Sequence, residues 1–218
     1  MAAPLITTEV EACNLALARI GQAPISSIES PTTWVEELCA LHYPTIRRAR
    51  LRGPRVYNFA KKYAQLTVDS SVTPAFGSFT SAFGLPNDFL RLLTLGDHTV
   101  GDPKDSRLFD VVGRYIYTAD EDEADTLNIS YVFDETNVAH WDAIFVDLMR
   151  LELAKAVAYK FTLKASLVKD LNEELKDIRL EAGAVAGQEK PPIRIQRSKF
   201  RDNRRMGGDF RDVTRHSI

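Results

Sequence analysis

Residues 137–161 carry Trp141, Ile144, Phe145, Leu148, Leu151 and Ala158 at helical spacing, and Val146, Met149 and Leu153 occupy the remaining sides. A helix that is apolar nearly all round has to lie inside other elements. The rest of the chain is therefore read for what can cover it. Leu167, Leu171, Leu175, Ile178, Ala182 and Val185 are separated by steps of four, four, three, four and three, one seam of a helix over 166–186. Glu173, Glu174, Lys176, Asp177 and Arg179 face away from that seam. Near the start, Thr8-Glu9-Val10-Glu11 has the form of a capping box, with hydroxyl and carboxylate three residues apart. The helix it opens, over about 8–21, shows Val10, Cys13, Leu17 and Ile20 and stops at Gly21. Ser30-Pro31 is expected to open another helix over 31–52, with Trp34, Leu38, Leu41 and Ile46 as its buried face. Pro44 should kink or break it, and Arg52-Gly53-Pro54 ends it.

Between these helical blocks lies a stretch, about 56–133, with strand character. Residues 56–68 read as extended, and 69–86 as a Ser/Thr/Gly/Pro loop bearing Phe76, Phe79 and Phe83. Phenylalanines in such a loop either fold back on the core or meet a partner. Leu85 to Leu92 leads into a strand, 107–112 and 114–118 flank Gly113, and 126–133 alternates apolar and polar. The expected fold is mainly α: a helical bundle with one small antiparallel meander and an extended C-terminal arm. The expected division is a body over 1–187 and an arm over 188–218.

Charge separates the same two parts. From Lys190 to Ile218 there are nine Lys and Arg against three Asp, a net +6. The other 189 residues hold 19 bases and 27 acids, a net −8. The tail is expected to seek an anionic partner, and to order only on it, because its apolar content is too small to bury. A second basic run, Arg47, Arg48, Arg50, Arg52, Arg55, Lys61 and Lys62, has no acid between Leu38 and Val68. It reads either as the solvated C-terminal end of a helix, where cations suit the dipole, or as a contact with an acidic neighbouring subunit. No run approaches the roughly 18 apolar residues of a membrane span, and the start lacks the pattern of a signal peptide, so an intracellular product without membrane contact is expected.

Signs of catalysis are sparse. The chain has no phosphate-binding glycine loop and no GxSxG, and its four histidines are scattered. Cys39 and His42 share one helix face, but a structural zinc needs four ligands and Cys13 is the only other thiol. The run Asp120-Glu121-Asp122-Glu123-Ala124-Asp125 lacks the glycine and glutamate of an EF-hand loop and reads as a solvated hairpin loop. The expectation is no catalytic residue, no metal and no cofactor.

The order of several motifs is similar to one known family. Asn14-Leu-Ala-Leu-Ala-Arg-Ile-Gly-Gln-Ala-Pro-Ile-Ser-Ser-Ile28 resembles the opening of the head-to-tail adaptor proteins of tailed phages, also called tail tubular protein A. Those proteins similarly close a first helix on IG-x-x-P-(I/V)-(S/T)-x-(I/L). Leu85-Pro-Asn-Asp-Phe-Leu-Arg91 resembles their LP-x-D-(F/Y)-L-R segment, and Tyr131-Val-Phe-Asp134 their Y-(V/I)-x-D strand. A long helix with F-x-x-(A/L)-x-x-x-x-LA follows, matched around Phe145 to Ala154. The likeness spans about 8–186.

The resemblance implies a structural virion protein of the neck, made in the host cytoplasm and without enzymatic activity. Such proteins form a dodecameric ring between the portal and the tail nozzle, and extend the channel through which genomic DNA passes without sequence-specific binding. Their C-terminal segment docks on the portal; by position and composition that role falls here to Arg194, Ile195, Arg197, Phe200, Arg201, Arg204, Arg205, Phe210 and Arg211. Arg47, Arg48, Arg50, Arg52, Phe76, Phe79 and Phe83 are then candidate contacts to neighbouring subunits or the tail. Asp120, Glu121, Asp122 and Glu123, repeated around a ring, would form an acidic collar. The competing readings are a nucleic-acid-binding accessory protein acting through the basic tail, and a tail-associated hydrolase, for which no acid pair stands out.

Overall fold

A computed structural model of the chain describes residues 6–74, 79–96, 98–100, 109–119, 125–161 and 165–188. The helices are α1 (Glu9–Arg19), α2 (Trp34–Leu51), α3 (Ala143–Phe161) and α4 (Ala165–Gln188), with single 3-10 turns at Asn58–Ala60 and Val138–His140. The strands are β1 (Lys61–Thr67), β2 (Ser81–Gly84), β3 (Phe89–Leu95), β4 (His98–Thr99), β5 (Phe109–Val112), β6 (Tyr115–Thr118) and β7 (Thr126–Phe133). All pairings are antiparallel, in two sheets with strand orders β1-β7-β3-β4 and β2-β6-β5. The expectation of a mainly α protein is therefore corrected: the fold is mixed α/β.

The single meander is corrected with it. β7, last in sequence, lies between β1 and β3, so the larger sheet closes around a strand that arrives from a distance. Its burial explains the position: Leu127, Ile129, Ser130, Tyr131 and Val132 are all buried, as in a strand covered on both faces. The loop expected over 69–86 contains β2, which pairs with β6 and puts Phe83 in the core. A bridge from Val68 to Phe83 ties the two sheets, and their apolar faces share one cluster that includes Leu66, Phe83, Leu92, Ile116 and Leu127.

α3 is buried on nearly every side and packs against both α1 and α2. α4 packs into the same cluster through Val168 and the seam residues Leu171 and Leu175, with Leu167 and Ile178 partly buried against it. The α1 capping box is present, with Thr8 and Glu11 each bonded to the other's backbone. Its end is a Schellman turn: Gly21 has φ +71°, and the Gln22 amide donates to the Leu17 carbonyl at 2.9 Å. The connector that follows is held from both sides. Asn14 brackets the Ile25 backbone through Oδ1 at 2.8 Å and Nδ2 at 3.1 Å. Glu36 accepts the Ser26 hydroxyl at 3.0 Å and the Thr32 amide at 2.8 Å.

α2 departs most from expectation. It starts at Trp34, capped by Thr33 and Glu36 in a second capping box rather than by Ser30. It continues through Pro44. Its buried stripe is Cys39, Tyr43, Arg47 and Leu51 together with Glu36, while Trp34 is 52% exposed and Leu41 64% exposed. The stripe is rotated because two charged residues are drawn inward by partners on other elements. Among the described residues, no helix is long and apolar enough to cross a membrane.

Candidate functional site

The densest polar arrangement lies where β7 ends beside α2. Asp134, just past β7, takes the Arg47 guanidinium bidentately, Nε to Oδ1 at 2.8 Å and Nη2 to Oδ2 at 3.1 Å. Arg48 adds Nε to Oδ2 at 2.7 Å, and Glu9 of α1 meets Arg47 Nη1 at 3.2 Å. The Arg47 and Asp134 side chains are 5% and 11% exposed, whereas that of Arg48 is 62% exposed. Burial works against both charges of the inner pair, but their mutual attraction outweighs it. Asp134 is held below the usual carboxylate range and Arg47 above its ordinary value.

The same corner holds the start of β3. The Asp134 amide donates to the Asp88 carbonyl at 2.9 Å. The Asp88 carboxylate accepts from Lys62 Nζ at 2.8 Å and from the Tyr131 hydroxyl at 3.0 Å. Burial and the Asp88 carboxylate together push the Tyr131 phenol up to about 12. Arg114 Nη2 closes the turn before β3, donating to Leu85 O, Pro86 O and Asn87 Oδ1 at 3.2, 3.0 and 2.9 Å. Behind Asp134, Glu135 accepts from the Asn137 amide at 2.8 Å and meets His140 Nδ1 at 2.9 Å. Between these groups opens a groove of about 630 Å³, floored by Phe89, Leu90 and Phe133 and edged by Arg48, Asp88, Asp134 and Glu135.

The groove's chemistry is that of a junction. Each of its three carboxylates already faces a cation, a hydroxyl or an imidazole. Among the described residues, no three His, Cys, Asp or Glu side chains gather to hold a metal ion. Cys13 and Cys39 are free and buried, and their thiols hydrogen-bond to each other, which together with burial pushes Cys13 far up. His42 joins no cluster with them.

These carboxylates give the protein a calculable response to acid. Asp134 and Asp88 have folded pKa values below their ordinary ones. Glu36 is lowered likewise, by the Thr32 amide and hydroxyl before other donors. Each then stabilises the fold at pH above its unfolded value, near pH 4, and the contribution is lost as pH falls through the lower folded value. The urea midpoint is expected to stay flat from pH 7 to about pH 5 and to drop steeply below about pH 4. An unchanged midpoint at pH 3 would contradict these assignments.

The expected contact residues fall in different places. Arg47 is enclosed by carboxylates of its own chain and offers nothing to a neighbour. Arg48 and Arg52 are exposed, and Arg50 meets Glu152 at 3.3 Å. Phe83 is corrected from a contact residue to a core residue, at 1% exposure, because it packs between the sheets. Phe79 is half-buried with its ring 6.1 Å from that of Tyr117. Phe76, the run Asp120 to Glu123 and all nine arm residues lie outside the described residues. Asp134, Glu152 and Glu36 were not singled out from sequence as partners. Glu152 had a signal, being an acid between Leu151 and Leu153 in a helix read as apolar nearly all round, which calls for a cation opposite it.

In comparisons with known proteins, no family model matches the chain and no curated protein matches it.

Proposed function

We propose that this chain is a structural virion protein, a head-to-tail adaptor that forms a ring between portal and tail nozzle and extends the DNA channel. The observation that carries the reading is what the motifs of the resemblance do. Asn14 brackets Ile25, Asp88 joins Lys62 and Tyr131, and Asp134 clamps two arginines of α2. These three of the four motif segments thus serve the scaffold, as motifs shared for a structural role would. The mixed α/β body changes the fold expected with that reading, though the motif order remains.

The C-terminal residues supply the docking arm in this reading. Nine cations in 29 residues suit an anionic site on the portal, and ordering such a segment costs entropy that lowers affinity per unit area. A ring of arms engaging a ring of sites compensates through effective concentration. The test is capture of the chain on the portal ring of the same genome, with and without residues 190–218. Full-length protein should be captured in ring-shaped complexes and the truncated form should not. Capture of neither form would reject the adaptor reading. The basic tail would then favour nucleic-acid binding, checked by the salt dependence of affinity for duplex DNA.

A further inference from the structure

At the C-terminal end of α2, cations outnumber the carboxylates that serve them. Glu152 of α3, with its side chain 8% exposed, receives Arg50 Nη1 at 3.3 Å and Arg179 Nη2 at 2.5 Å on one oxygen, Oε1. Arg55 reaches the same corner: its Nη2 donates to the Arg179 carbonyl at 3.0 Å, and its guanidinium carbon lies 5.9 Å from the centre of the Tyr57 ring. Two guanidinium groups therefore share one carboxylate oxygen, and a third stands beside them without a carboxylate bond of its own. Asp142 also acts on Tyr57 together with Arg55 and Arg50, so among these described groups three arginines stand against two carboxylates. Lys155, one turn beyond Glu152, and Lys176, one turn before Arg179, add charge of the same sign. Asp177 and Glu181 stand two residues from Arg179 on α4 and so do not face it.

Arg50 and Arg55 are half-buried while Arg179 is exposed, and Arg50 Nε has neither a hydrogen-bond partner nor contact with solvent. A partly desolvated cation in excess is held at a cost unless a counter-charge arrives. The planar fork of arginine suits a carboxylate, which it can take through two parallel hydrogen bonds.

We propose that this arginine corner is the docking site for the acidic surface of a second copy of the same chain. Charge balance selects that partner. Outside residues 190–218 the chain holds 27 acids against 19 bases, so another copy brings carboxylates in surplus. A nucleic acid approaching the corner meets the same acidic excess, and the few cations here neutralise few phosphates. A cationic corner meeting an acidic flank is a contact between unlike surfaces, which repeats from copy to copy and can close into a ring. The proposal rests on the ring-forming reading above and names where neighbouring copies touch. Its contact is electrostatic, so it sets encounter rate and register and weakens with salt.

The test uses the full-length chain without portal, so its result is separate from capture on the portal. Sedimentation velocity over a concentration series at low ionic strength should show reversible self-association, weakened about tenfold at high salt. Arg55→Glu leaves both arginines on Glu152, so it should keep the parent's urea midpoint and still weaken association about tenfold or more. Arg55→Lys, which retains the charge, should keep most of the association. A chain that stays monomeric at every concentration overturns the proposal, as does an Arg55→Glu variant that associates like its parent. So does affinity for labelled duplex DNA that Arg55→Glu abolishes while self-association persists.

Discussion

Asp134→Asn is expected to lower folding stability by about 3–5 kcal/mol, read as a shift of the urea midpoint at unchanged slope. The change is nearly isosteric, so its cost is electrostatic. Arg47, with its side chain 5% exposed, would keep only Glu9 as a counter-charge, at 3.2 Å and itself partly exposed. Arg48, which shares Oδ2 of Asp134 with Arg47, would turn from a co-donor into a like charge beside it. By contrast, Arg48→Met should cost no more than about 1 kcal/mol, because that side chain is 62% exposed and its pairing is screened by water. The double variant separates this account from simple loss of packing. In the Asp134→Asn background, Arg48→Met should be neutral or stabilising, since it removes repulsion from Arg47. Strictly additive single effects would show that the two arginines do not meet through Asp134.

The junction explains which parts of the fold were legible in the sequence. α1, α4 and the hairpin around Gly113 depend on neighbours within a few residues: Thr8 with Glu11, a seam at steps of three and four, and a glycine at φ +62°. Local pattern suffices for those. The register of α2 depends on Arg47 meeting Asp134 across 87 positions, and on Glu36 folding back to Ser26. Hydropathy counts both residues as surface, so the apolar set Trp34, Leu38 and Leu41 looked like the core face. Thr33, three residues before Glu36, carried the correct cap, but Ser30-Pro31 nearby offered a competing start.

The sheets were harder for a related reason. β2 is Ser-Ala-Phe-Gly, with little strand propensity of its own; pairing with β6 and burial of Phe83 make it a strand. Nothing local tells β7 to enter between β1 and β3. The arginine run was visible as charge, yet whether each member met solvent, its own chain or a neighbour depended on acids far along the chain. Arg47 and Arg50 found theirs in Asp134, just past a strand, and Glu152, on a helix.

Phe145→Ala tests whether sheet and helices share one core. Phe145 is fully buried at the start of α3, with the rings of Tyr57, Trp141 and Phe59 at 4.8, 4.9 and 5.2 Å. Truncation removes the ring that all three contact and opens a cavity they cannot fill without leaving their rotamers. The expected loss is about 3–5 kcal/mol, against less than about 1.5 kcal/mol for Phe145→Leu, which retains most of the volume. How the loss appears discriminates between two structures of the folding unit. Val132 of β7 has no exposed surface and belongs to the helical cluster, while Leu127, Ile129 and Tyr131 of the same strand belong to the cluster between the sheets. One strand therefore contributes to both clusters, and Asp134 at its end is bonded to α2. With that coupling, fluorescence of Trp141 in the helical part and far-ultraviolet dichroism of the whole should shift together in one transition. Removing exposed Trp34 by Trp34→Phe leaves Trp141 as the sole tryptophan reporter. A Phe145→Ala protein whose tryptophan signal melts first, while a strand signal persists to the parent's midpoint, would show two clusters that fold apart. In that event β7 and the Asp134 clamp would join two separately stable halves rather than one.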